Sequence, residues 1–266
     1  MSKRPLILIC NDDGVHALGI KHLVKSLKGI ADLVVVAPAT EQSAVGQSIT
    51  IRHPLRIEEL ERSQFDVPAW SINGTPADCI KIALSVILSK RPDFIVSGIN
   101  RGSNAGRNVI YSGTVAAVVE GVLQGIPGIA FSVVEYFNPN YALTEKYIPQ
   151  LVHYIEKHPL PLGTFLNVNF PLGMENDFKG LRFAKQGREY WVESPEQREH
   201  PVEKSTYYWL GTKIAEFEED KESDISLLRQ GFAAIVPIHI SDLTHHHHFN
   251  VSRDHFSSFL EAYNTH

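Results

Sequence analysis

The strongest constraint on how this chain folds is the apolar run Leu6-Ile7-Leu8-Ile9-Cys10, which stops at Asn11-Asp12-Asp13-Gly14. An unbroken apolar run of that length, closed by turn residues, reads as a buried strand. In an α/β sheet, ligands bind outside the carboxyl ends of the strands, so two carboxylates stand where a site would open. Side chains alternate along a strand, and both aspartates can converge only if the chain has already turned, which Asn11 and Gly14 permit. Neighbouring carboxylates repel unless one is protonated or a cation lies between them. A hard divalent ion such as Mg²⁺ resolves that conflict. An Asx-turn that caps the next helix accounts for the same four residues equally well.

Strand and helix patterns then alternate. Ile20, Leu23, Val24 and Leu27 have the spacing of an amphipathic helix. Leu33–Ala37 is a short β-branched run closed by Pro38, hence a buried strand. Thr75, Pro76 and Asp78 read as N-cap, N1 and N3 of a helix continuing over Ala77–Ser89. Phe94–Ser97, Ile129–Val134 and Phe165–Val168 are further strands, and Thr114–Leu123 is a helix apolar on nearly every face. Such alternation implies right-handed crossovers and a largely parallel sheet, an α/β fold. Between Ser48 and Ile72 the period is closer to two, which suggests an inserted hairpin. Beyond about residue 175 the texture changes. Tyr190-Trp191-Val192 and Tyr207-Tyr208-Trp209-Leu210 look like two arms of a long hairpin whose aromatic faces need a partner. Phe232–Ile240 is expected as a strand and Phe256–Tyr263 as a terminal helix.

The composition of the 266 residues, 43% hydrophobic and 21% charged with a formal net charge of −5, is that of a globular enzyme and not of a nucleic-acid or membrane-surface protein. Cys10 and Cys79 both fall in apolar elements and read as core residues in a reducing compartment. Lys3-Arg4 precede only five apolar residues before Asn11, too few for a secretory signal, so a cytoplasmic location is expected.

Three further loops share the sheet edge with Asp12 and Asp13. Ser97-Gly98-Ile99-Asn100-Arg101-Gly102-Ser103-Asn104-Ala105-Gly106 lets backbone N–H groups approach an anion, while Asn100 and Asn104 suit a metal or a phosphate. The spacing matches neither the P-loop nor the dinucleotide fingerprint, and a plain surface loop is the competing reading. Ser112-Gly113-Thr114 opens a helix whose unpaired N–H groups favour an anion, although simple capping serves as well. Ser43, in the loop after the second strand, is a candidate metal ligand by position alone. The run His245–His248 reads as a solvated loop, and no Gly-x-Ser-x-Gly elbow is present.

Taken in order along the chain, Ile9–Gly14, Pro38…Gln42-Ser43-Ala44, Asn73–Cys79, Ser97–Gly102…Asn104 and Tyr111–Ala117 closely resemble the SurE (survival protein E) family of 5′/3′-nucleotidases. Asn167–Pro171 and Gly231…Pro237…Asp242-Leu243-Thr244 are similar to its later motifs. The resemblance implies a Rossmann-like three-layer core, here residues 1–185, and a swapped C-terminal region, residues 186–266, that builds homodimers or homotetramers. Region 188–224 fits the family pattern loosely. The resemblance also implies one divalent ion per subunit (Mg²⁺ or Mn²⁺, with Ca²⁺ able to occupy the site) on Asp12, Asp13, Ser43 and Asn100. Asn104, Ser112, Gly113 and Thr114 would face the phosphate of nucleoside monophosphates. Asp12 or Asp13 would direct in-line attack, with Asn104, Ser112 and Thr114 donating to the phosphoryl oxygens. A broad acid phosphatase or exopolyphosphatase, and a nucleotide sensor without turnover, are the rival readings. Paired carboxylates disfavour the sensor, because a pure phosphate binder gains little from negative charge beside its ligand.

Overall fold

A computed structural model of the chain describes residues 4–173, 175–211 and 213–263. The order begins β1 (Leu6–Cys10), α1 (Leu18–Leu27), β2 (Asp32–Pro38), β3 (Ile57–Glu59), α2 (Arg62–Phe65) and β4 (Ala69–Ile72). It continues through α3 (Pro76–Ile82), β5 (Phe94–Arg101), α4 (Gly113–Leu123), β6 (Gly128–Val133), α5 (Ala142–Lys157) and β7 (Thr164–Phe170). The last part holds β8 (Leu181–Phe183), β9 (Tyr190–Val192), β10 (Glu196–Glu199), β11 (Thr206–Trp209), β12 (Lys213–Ala215), α6 (Asp224–Arg229), β13 (Ala233–His239) and α7 (His246–Tyr263).

Nine strands make one sheet in the order β3-β4-β2-β1-β5-β6-β7-β13-β8. Only the pairs β3–β4 and β7–β13 are antiparallel. Helices α1 and α5 pack together, as do α3 and α4, which gives an α/β fold of three layers. Ile7, Leu8 and Ile9 of β1 are fully buried between them. Each such side chain contributes roughly 1.5–3 kcal/mol of transfer free energy. Helix α1 presents Ile20, Leu23, Val24 and Leu27 to the core as its spacing requires. Helix α3 carries a complete capping box: Thr75 Oγ1 accepts from Asp78 N and Asp78 Oδ2 accepts from Thr75 N. Helix α4 is buried on nearly every face, and its Glu120 is offset by Lys81 at 2.7 Å. Among the described residues, no helix is long and apolar enough to cross a membrane. Cys10 and Cys79 are free and buried.

Several expectations are corrected. The hairpin suggested for Ser48–Ile72 is limited to β3 and β4, while Ile49 and Ile51 lie exposed before it. The α-helix from Pro76 ends at Ile82 and passes into a π-helical turn over Ala83–Ile87. The aromatic arms of the later hairpin do not pair with each other. Trp191 stands opposite Ile214 and Trp209 opposite Glu196, because β9 pairs with β12 and β10 with β11. Three histidines of His245–His248 begin α7 instead of lying in a loop, although they are exposed. The large sheet draws strands from both sides of residue 185, with β13 lying between β7 and β8.

Candidate functional site

The chain leaves β1 for β2 on one side and later returns to β5 on the other, so the sheet reverses direction at β1. That reversal opens a crevice at the carboxyl ends of the strands. A cavity of about 520 Å³ lies there, with Asp12, Ser43, Asn100, Asn104 and Ser112 in its lining.

The turn after β1 is built by its own residues. Asn11 Nδ2 donates to Gly14 O at 2.9 Å, and Gly14 takes φ +96°, a left-handed conformation that a side chain would strain. Gln42 N donates to Asp12 O at 2.7 Å and Gly46 N to Tyr111 O at 2.9 Å, which draws the Ser43 loop over the end of β1. Ser43 Oγ donates to Glu41 Oε1 at 2.6 Å.

Asp12 is buried against the first turn of α4. Its Oδ1 accepts from Thr114 Oγ1, and a Cβ on Gly113 would stand only 2.7 Å from Asp12 Cβ. Glycine at 113 is therefore what lets the helix start reach the carboxylate. Burial raises the Asp12 pKa to about 6, with the Asp13 charge adding and the Thr114 hydrogen bond opposing. Ser112 Oγ accepts from Val115 N at 3.1 Å as the helix cap, which leaves its hydroxyl hydrogen to donate elsewhere.

Asp13 is held differently. Arg101 N donates to its Oδ2 and Arg101 Nε to its Oδ1, both at 3.2 Å, and Arg101 Nη2 reaches Glu41 Oε2 at 2.7 Å. Burial raises the Asp13 pKa, against these contacts with Arg101. Asp13 lines an adjoining cavity with His16 and Tyr141. Asn100 Nδ2 donates to Gly102 O at 2.8 Å, which leaves Oδ1 for the cavity that Asn100 lines.

Behind this layer lies a set of amides. Asn104 N donates to Asn169 Oδ1 at 2.8 Å, Asn167 Nδ2 to Asn104 O at 2.9 Å, and Asn104 Nδ2 to Ser132 Oγ at 2.8 Å. The loop carrying Asn104 is thus fixed by β6 and β7. The Thr114 hydroxyl, fully buried, donates to Asp12. Asn104 Nδ2 gives one of its two hydrogens to Ser132, which leaves the second hydrogen and Oδ1.

Among the described residues no three His, Cys, Asp or Glu side chains gather to hold a metal by themselves. The donors present are carboxylate, hydroxyl and amide oxygens, a hard set of the kind Mg²⁺ takes when water or substrate oxygens complete its shell. A buried carboxylate at the end of β1, with a second carboxylate adjacent, fits such a cation.

The cavity also contains residues to which the sequence assigned no role in the site: Arg101, Asn108, Tyr111, Tyr136, Phe137 and Trp191. Tyr136 and Phe137 follow β6 on the same sheet edge as Asp12 follows β1, and that position is the signal that could have found them. Trp191 carries no such signal, because its place depends on the hairpin folding back.

Residues 7–193 match the family described as Survival protein SurE. Over 260 residues, covering 98% of this chain and 100% of the relative, the chain is 58% identical to the 5′-nucleotidase SurE of Protochlamydia amoebophila. It is 42% identical to the 5′-nucleotidase SurE of Christiangramia forsetii, over 92% of this chain and 94% of that one. The crystal structure of the SurE protein from Aquifex aeolicus superposes with a TM-score of 0.78 at 34% identity, covering 93% of this chain and 98% of that one.

Proposed function

This chain belongs to the SurE family, and we propose that its chemistry takes place in the cavity at the β1–β5 crevice, around a divalent cation held by Asp12, Asp13, Ser43 and Asn100. The protein is a 5′-nucleotidase, a hydrolase that releases phosphate from nucleoside monophosphates. Its cofactor is a divalent metal. Mg²⁺ or Mn²⁺ is our assignment for the ion, with Ca²⁺ suited to the same oxygen donors. Hydrolysis of 3′-monophosphates is proposed as a second activity of the same site.

Held by Asp12, Asp13, Ser43 and Asn100, such a cation would offset the charge of the paired carboxylates and supply Lewis-acid stabilisation to the phosphoryl group. Asp12 is the carboxylate of the pair that lines the cavity, so we assign to it the proton of the attacking water. The water oxygen bonds to phosphorus as the ester P–O bond breaks, and the departing nucleoside oxygen takes a proton from solvent. Ser112 has a hydroxyl hydrogen free to donate to a phosphoryl oxygen, beside Asn104 and the backbone of Gly113 and Thr114 at the helix start. Thr114 holds Asp12 in place through its hydroxyl. The observation that carries this reading is the buried Asp12 carboxylate set between Ser43, Asn100 and the start of α4. We further propose assembly into a homodimer or homotetramer through the segment after residue 185, and a cytoplasmic location.

The test is release of inorganic phosphate from nucleoside monophosphates with Mg²⁺ or Mn²⁺. EDTA and, separately, Asp12→Asn are expected to lower release by at least about 100-fold, the scale of losing a metal-bound transition-state contact. Unchanged release after both treatments would sink the metal–carboxylate reading.

A further inference from the structure

We propose that Asp224 is a positioning residue for the reaction: its carboxylate clamps the loop that carries Asn104, at Gly106, to the chain segment at Gly187. The phosphate side of the site is thereby fixed from α6, by a residue that never touches substrate. The proposal rests on the nucleotidase reading and deepens it. Asp224 is 1% exposed. A buried carboxylate is costly unless its oxygens are satisfied. Here Gly106 N donates to Oδ2 at 2.9 Å, while Gly187 N and Ile225 N donate to Oδ1 at 2.7 and 2.8 Å. One oxygen therefore holds the segment after β8, and the other holds the loop after β5. Burial pushes the Asp224 pKa up against these three hydrogen bonds, and the Glu219 charge adds to the rise.

The loop is gripped from two sides. Strand β7 holds Asn104 itself through Asn169 Oδ1 and Asn167 Nδ2. Just beyond, the chain turns at Gly106 with φ +62°, where a Cβ would stand 2.6 Å from Glu189 O. Glycine there lets the segment 186–189 lie directly on the loop. Gln186 Nε2 donates to Gly106 O at 2.9 Å, and Arg107 N donates to Glu189 O at 2.8 Å. That segment is itself seated by its neighbours. Glu219 Oε1 accepts from Arg188 N at 2.8 Å and from Glu189 N at 3.1 Å, and Arg229 of α6 pairs with Glu189. Asp224 joins the two stretches of backbone through a single planar group, so a shift of one is passed to the other. Gly106 is two residues from Asn104 and two from Asn108, both of which line the cavity. Misplacing a group at a reacting centre by about 1 Å costs on the order of 100-fold in rate. Holding the loop against such a shift is the part assigned to Asp224.

Asp224→Asn separates the clamp from the fold. An amide keeps one acceptor oxygen and gains a donor nitrogen. The oxygen goes to the side where Gly187 N and Ile225 N both donate, which leaves the nitrogen facing Gly106 N, donor against donor. For AMP and for p-nitrophenyl phosphate alike, kcat is expected to fall about tenfold while KM changes less than about threefold, because the loop meets charge that grows in the transition state. Ser223→Ala is the control. It removes the α6 cap on Ser226 N, a 3.2 Å bond, and leaves Gly106 alone, so the melting temperature should fall while kcat holds. A second readout needs no turnover: amide hydrogen exchange over 104–108 should quicken about tenfold in Asp224→Asn and stay slow in Ser223→Ala. Should Asp224→Asn not fold, Gln186→Ala decides in its place, with kcat expected to drop about threefold at an unchanged melting temperature. Wild-type kcat in the deciding variant would overturn the positioning role, and unmoved exchange over 104–108 would overturn the clamp. Absence of phosphate release from wild type would instead overturn the nucleotidase reading, and hydrogen exchange would still decide the clamp.

Discussion

At the scale of single residues, Asp12 is a charge the fold holds at a cost. Its carboxyl pKa stands at about 6 in the folded chain against an ordinary 3.8, chiefly through burial. A carboxylate whose folded-state pKa is raised makes the native state bind more protons than the unfolded state between those values. Stability therefore falls as pH rises from about 4 to about 6, and the full penalty persists above that. A shift of this size corresponds to about 3 kcal/mol. Asn at the same position keeps an oxygen to accept from Thr114 and carries no charge. In EDTA at pH 7, Asp12→Asn is thus expected to melt several degrees above wild type while releasing no phosphate, and the gap should close as pH drops through 6 toward 4. Thermal melts of both proteins across that range check it; an Asn variant that melts below wild type at pH 7 would contradict the assignment. A bound cation relieves the same penalty, so Mg²⁺ should raise the melting point of wild type and not of the variant.

At the scale of elements, the start of α4 decides how closely backbone can approach Asp12. Gly113→Ala would place a methyl 2.7 Å from Asp12 Cβ and 2.9 Å from its Oδ2, well inside van der Waals contact. Helix propensity favours alanine by about 1 kcal/mol. Overpacking costs typically 1–3 kcal/mol and wins here, because Ser112 already caps the turn and restricts its retreat. Expected outcomes are a lower melting temperature and phosphate release reduced at least tenfold; a variant with wild-type kcat would remove Gly113 from the site. The sequence announced the elements whose signals are local: the apolar β1, the α3 capping box and the apolar α4. Helix α5 was not recognised, since it carries Pro149 in its interior. Strand β5 runs on to Arg101 through Gly98, a residue that ordinarily weakens strands. The paired carboxylates were legible as a site because two like charges after a buried strand demand compensation. Arg101 was not, because its role is set by Asp13 and Glu41, 88 and 60 residues away in sequence. Trp191 and Asn108 meet only once the hairpin has returned to the core.

At the scale of the whole molecule, the single chain leaves apolar surface that its own core does not cover. The hairpin exposes Tyr207, Tyr208, Trp209 and Leu210, and α7 exposes Phe249, Phe256, Phe259 and Leu260. In α7 these four fall at positions i, i+7, i+10 and i+11, which is one helical face, and Phe256 stacks on Phe259 at 6.4 Å. Over 246–261 of α7 no side chain is buried, and a helix exposed in that way is marginal in water by itself. The proposed homo-oligomer would meet that need, because closed symmetry lets each copy cover the other. The two tryptophans of this region differ in place: Trp191 lines the cavity, whereas Trp209 is exposed at the end of β11. Light scattering at micromolar concentration should therefore report a mass of at least twice the 29.8 kDa of one chain. The double variant Phe256→Glu, Phe259→Glu should shift that mass toward a single chain, as buried charges are costly at an apolar contact. Trp209→Glu tests β11 in the same way, and far-UV circular dichroism verifies that the core sheet persists in each variant. A wild-type protein that scatters as a compact monomer would mean that α7 and β11 cover no partner copy.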